Sequence, residues 1–87
     1  MKVLVIYKPI SEHATEVEQY MRDFFHRTGR HIETMDPETR EGSGFCETYD
    51  IVAYPTLIAL DDHGTMQNMW SGALPTISEV SYYAQDN

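Results

Sequence analysis

The sequence predicts an α/β fold in the order β-α-β-α-β-β-α, a four-stranded mixed sheet with helices on both faces. Three observations carry this reading. The chain opens on an uninterrupted apolar and β-branched run, Val3-Leu4-Val5-Ile6-Tyr7, which suits a central strand covered on both sides. An apolar stripe at helical spacing follows, through Ala14, Val17, Met21, Phe24 and Phe25. A later run, Thr56-Leu57-Ile58-Ala59-Leu60, leads into Asp61-Asp62-His63-Gly64, a strong hairpin turn in which glycine supplies the positive φ.

The elements between these landmarks follow in order. Lys8-Pro9 bounds the first strand. Ser11 is placed to cap the first helix; alternatively Thr15 with Glu18 forms a capping box one turn later. Gly29 supplies the left-handed stop. His31 to Met35 is expected as a short second strand with Ile32 facing inward, and Asp36-Pro37 turns the chain. Gly42 and Gly44 loosen the next segment, although Phe45, Cys46 and Tyr49 can share one face of a short helix. Tyr54-Pro55 precedes the third strand, and Thr65 to Trp70 is the returning one. Ser71-Gly72 is a loop. Pro75 and a second capping box, Thr76 to Glu79, open a last helix through Ile77, Val80, Tyr83 and Ala84. An initial βαβ crossover makes the first two strands parallel, and the terminal hairpin adds an antiparallel edge.

Eighty-seven residues are read as one domain, residues 1–87. A chain of that length buries only a little over ~60% of its unfolded surface, so any site is expected in a surface groove rather than a deep cavity. The net charge is −8, and the six basic residues form no run. That disfavours nucleic acid, whose phosphates need a clustered cationic face, and anionic membranes as well. The Val3–Tyr7 run is too short for a signal-peptide core or a bilayer span, and the expected location is cytoplasmic. A single cysteine, Cys46, rules out an internal disulfide and any cysteine-rich zinc site. His26, His31 and His63 fall at a helix end, a strand start and a hairpin tip, without ligand spacing. No metal or other cofactor is expected.

The element order, with Tyr54-Pro55-Thr56 opening the third strand, resembles the thioredoxin and glutaredoxin families over almost the whole chain. Tyr49-Asp50-Ile51-Val52-Ala53-Tyr54-Pro55-Thr56 is similar to the family segment that ends in a cis proline and a threonine. Gly64, Trp70 and Ser71-Gly72-Ala73-Leu74 resemble the end of a thioredoxin, where a glycine lines the substrate groove. The resemblance therefore implies a cis Pro55 with Gly72 flanking the same groove. It fails at the redox turn. Glutaredoxins follow the first strand with lysine-proline, one residue, and a cysteine pair spaced by two; here Lys8-Pro9-Ile10 leads into Ser11-Glu12-His13-Ala14. Ser11 and Ala14 stand at the two cysteine positions, and Val5 stands where thioredoxins carry a buried aspartate.

Thiol–disulfide exchange needs a thiolate, so the chain is not expected to be a dithiol oxidoreductase. Ser11 is read chiefly as a helix cap, Cys46 as a packed core residue, and His13 as a solvated side chain. The expected function is a non-catalytic binding or accessory module. Its candidate ligand-binding residues are Ser11, His13, Tyr54, Pro55 and Gly72, with Tyr7 and Trp70 as further aromatic contacts. In the families it resembles, such a groove pairs with an extended peptide or with glutathione, so a peptide, a protein partner or glutathione is the implied ligand. Two rivals stand beside this. One is an enzyme, either a weak redox protein working through Cys46 or a hydroxyl site at Ser11 acting on glutathione. The other is an assembly subunit using the last helix around Tyr82 and Tyr83.

Overall fold

The computed structural model describes residues 1–84, and its sheet runs β2-β1-β3-β4. The strands are β1 (Lys2–Ile6), β2 (Glu33–Met35), β3 (Thr56–Leu60) and β4 (Met66–Ser71), and the described helices are α1 (Ala14–Thr28), α2 (Arg40–Tyr49) and α3 (Ile77–Tyr83). β1 pairs parallel with β2 and antiparallel with β3, and β3 pairs antiparallel with β4. The predicted fold class is the observed one.

The apolar runs are explained by where β1 and β3 sit. Both are interior strands, and successive side chains point to opposite faces. Val3, Val5, Tyr7, Leu57 and Ala59 meet Ala14, Val17 and Phe24 of α1 and Val80 of α3 in one core. Leu4, Ile6, Ile58 and Leu60 meet Cys46 of α2 and Ile51 in the other. Each fully buried side chain of this kind contributes about 1.5–3 kcal/mol of hydrophobic stabilisation. Phe24, at 0% exposure, is the largest.

Several local expectations are corrected. Ser11 does not cap α1: the N-cap position is His13, and no side chain satisfies the helix start. Thr15 lies inside the helix, so the alternative capping box is also absent. Phe25, placed on the apolar stripe, is 41% exposed and stacks on His31 at 4.3 Å. The five-residue second strand shortens to Glu33–Met35, with Ile32 buried just before it. The returning strand begins at Met66 and runs on to Ser71.

The largest correction concerns α2. Its two glycines do not loosen it. Thr39 caps the helix by accepting from the Gly42 amide at 2.9 Å, and its hydroxyl donates to the Asp36 carbonyl at 2.8 Å. A Cβ on Gly42 would sit 1.8 Å from that same carbonyl oxygen, so glycine is what lets the first turn of α2 close on the Asp36 turn. By contrast Gly29 ends α1 as expected, at φ 72° with its amide on the Phe25 carbonyl. At the start of α3, Thr76 accepts from the Glu79 amide at 3.3 Å, the predicted cap.

Candidate functional site

The register fixes which loops meet. Ile6 of β1 pairs with Met35 of β2 and Thr56 of β3, and Thr56 pairs with Ser71 of β4. Residues 7–13, 36–39, 52–55 and 72 therefore gather at one end of the sheet. The sequence-derived candidates Ser11, His13, Tyr54, Pro55 and Gly72 all lie there.

Two residues outside that set tie the loops together. The first is Thr56, fully buried. Its hydroxyl donates to the Ala53 carbonyl at 2.7 Å and accepts from the Gly72 amide at 3.3 Å. Between those contacts the Tyr54–Pro55 bond is cis, and Gly72 holds φ at 74°. A Cβ on Gly72 would meet the Ala53 Cβ at 3.5 Å, so space is adequate there and the positive φ is what asks for glycine.

The second is Lys8. Ser11 Oγ donates to the Lys8 carbonyl at 2.6 Å, and the Lys8 amide donates to His13 Nε2 at 3.2 Å. The Ala14 amide closes the turn on the Ser11 carbonyl at 3.3 Å. His13 is thus a turn-forming residue rather than a freely solvated one, its ring edge-on to Tyr7 at 6.3 Å between centroids. The Lys8 ammonium lies 5.5 Å from the centre of the Tyr54 ring and 3.7 Å from Glu38 Oε1.

These contacts bear on nucleophilic chemistry. A serine is activated when a neighbouring base accepts its proton. Here the serine proton points to a backbone carbonyl, and the imidazole acceptor nitrogen is taken by a backbone amide. Ser11 and His13 are not hydrogen-bonded to each other. Cys46 is buried on α2 at 7% exposure, packed in the core that Tyr54 also touches. Burial, and then the Cys46 thiol and Glu38, push the Tyr54 phenol above its ordinary pKa. Burial followed by Glu18 does the same to Tyr7. Among the described residues, no group of three or more His, Cys, Asp and Glu side chains is arranged to hold a metal ion.

The aromatic candidates divide. Tyr7 is a core residue, and Trp70 packs half-buried on the same cluster with its indole N–H 3.3 Å from Glu79 Oε2. On α3, Tyr83 turns inward against Trp70 while Tyr82 is 70% exposed, so the two tyrosines do not form one outward face. Sequence reasoning missed Ile10 and Val52, exposed at 97% and 83%. They are the most exposed large hydrophobic residues described, and they rise from two different loops at this sheet end. An aliphatic residue beside a turn proline was the available signal for Ile10; Val52 had none. Glu38 was missed as well, although Asp36-Pro37-Glu38-Thr39 has the composition of a turn leading into a cap.

No family model matches the chain, and no curated protein sequence matches it. Solved structures do. A thioredoxin 1 from the thermophilic eubacterium Thermosipho africanus is 18% identical, with a TM-score of 0.67 over 95% of this chain and 89% of the other. A structure described as a malarial protein is 15% identical, with a TM-score of 0.64 over 93% and 89%. At these identities the likeness concerns architecture. The chain has a thioredoxin-like fold.

Proposed function

We propose that this chain is a thioredoxin-fold binding or accessory module without dithiol chemistry, and that it engages its partner at the sheet end carrying Ser11, His13, Tyr54, Pro55 and Gly72. The observation that carries the reading is the pairing of exposed and hidden groups. Ile10 and Val52 are held out in solvent there, whereas the single thiol, Cys46, is packed away on α2. Isolated exposed aliphatics are ordinary, but two presented from neighbouring loops beside a hydrogen-bonded turn favour a contact surface. A partner laid across it as an extended segment would need no cysteine. The rival redox reading through Cys46 is disfavoured by burial, and a hydroxyl site at Ser11 by the commitment of its proton to Lys8.

Two measurements test this. In the insulin-reduction assay with dithiothreitol, the protein is expected to add nothing to the reagent's own rate; turnover that disappears in Cys46→Ser overturns the reading. In parallel, extended peptides added to isotope-labelled protein are expected to shift the amides of residues 8, 10–13, 52–54, 56 and 72. An Ile10→Asp, Val52→Asp double variant should abolish those shifts while keeping the wild-type melting curve.

A further inference from the structure

The cleft between Lys8, Pro9 and Ile10 on one side and Asp36 and Glu38 on the other has a volume of about 130 Å³. Small-molecule sites run to ~300–1,000 Å³, so this one is scaled to a side chain. One wall is apolar, Pro9 with the solvent-exposed Ile10. The other is acidic and fixed in place. Asp36 Oδ1 accepts from the Glu38 amide at 2.9 Å, its backbone carbonyl takes the Thr39 hydroxyl, and Gly42 packs α2 directly against that carbonyl. The lining thus holds two acidic residues, Asp36 and Glu38, and one basic one, Lys8; Arg40, the base that follows Glu38 in the chain, does not line the cleft. Lys8 pairs with Glu38 at 3.7 Å while its side chain is 42% exposed, a contact that a competing cation can replace at little cost. Asp36 forms no ion pair with a described residue.

From this juxtaposition we infer that the cleft receives a basic, extended segment of a partner protein. A Lys or Arg head group sits between Asp36 and Glu38, and a neighbouring apolar side chain rests on Pro9 and Ile10. The inference rests on the reading of this sheet end as a binding surface and adds the chemistry of what it binds. It also opposes an anionic ligand such as glutathione, whose carboxylates would face Asp36 and Glu38 with only Lys8 to offset them. The overall charge of −8 acts in the same direction, drawing a cationic segment in from a distance.

The test uses the full chain and three probes in amide-shift titrations: the capped peptide Gly-Ser-Leu-Arg-Val-Ser-Gly, the same capped peptide with Glu in place of Arg, and free glutathione. The arginine peptide is expected to shift the amides of Lys8, Ile10, Asp36 and Glu38, and to bind at least about tenfold tighter than the glutamate peptide. Raising the salt should shrink that preference. An Asp36→Asn, Glu38→Gln variant keeps the acceptor at position 36, so its fold should hold while the charge preference disappears. Equal binding of both peptides overturns the basic-segment inference and leaves the binding-surface reading standing. Glutathione binding at these amides also overturns it. No shift with any of the three overturns both.

Discussion

At the scale of single residues, glycines that look alike in the sequence have opposite roles. Gly42 and Gly44 both lie inside α2. A Cβ on Gly42 would press on the backbone carbonyl of Asp36 at 1.8 Å, while one on Gly44 would meet nothing within 4 Å. Gly42→Ala is therefore expected to destabilise by about 1–3 kcal/mol, the usual cost of overpacking. Gly44→Ala should stabilise by about 0.5–1 kcal/mol through helix propensity. Denaturant midpoints of the two variants check the opposite signs. Ser11 yields to the same reasoning. Its hydroxyl donates to the Lys8 carbonyl, so Ser11→Ala should cost about 0.5–1.5 kcal/mol. Ser11→Asp, which cannot donate when ionised, should cost at least as much. A stabilising aspartate would instead restore the helix-cap role.

At the scale of elements, what could be read from the sequence was whatever local periodicity determines. The runs Val3–Tyr7 and Thr56–Leu60 announce interior strands because both of their faces are buried, and Thr76 with Glu79 announces the start of α3 because the cap is made within one turn. The departures from expectation at Ser11 and in α2 share a cause. In both, the partner is a backbone carbonyl on the preceding turn, Lys8 for one and Asp36 for the other, whose position residue type alone does not reveal. The junction of α1, β4 and α3 was equally hidden. Tyr20 of α1 donates to the Thr76 carbonyl at 3.5 Å, and Glu79 of α3 accepts from Trp70 of β4. Burial, and then Glu79, push the Tyr20 phenol up to about 12, above the ~10 of an unfolded tyrosine. A raised pKa means that the neutral phenol is favoured by folding. Its contribution is complete below pH ~10 and is lost as pH rises through the folded value. Stability should accordingly fall between about pH 10 and 12, and less steeply in Tyr20→Phe. Identical pH profiles for the two proteins would remove Tyr20 from the account.

At the scale of the molecule, architecture and chemistry are separate questions. A thioredoxin 1 shares this fold at 18% identity because paired apolar runs and flanking amphipathic helices suffice to build it, whereas chemistry lies in a few side chains grafted on. Whether this turn can hold a cysteine pair can be tested by placing one there. The Ala14 amide bonds to the Ser11 carbonyl at 3.3 Å, and closure of such a four-residue turn keeps its end Cα atoms within ~7 Å. Disulfides require Cα atoms roughly 4.4–6.8 Å apart. A Ser11→Cys, Ala14→Cys variant, carrying Cys46→Ser to prevent mispairing, should therefore oxidise to an intramolecular bridge and keep the wild-type fold. Ala14 is 7% exposed at the first turn of α1, so the second thiol should be shielded. The first, in the turn leading to the helix N-terminus, should have its pKa lowered, with Glu12 and Glu16 opposing that effect. Free-thiol titration and mass spectrometry decide the matter: two persistent thiols under mild oxidant would show that the turn does not bring positions 11 and 14 within bridging reach.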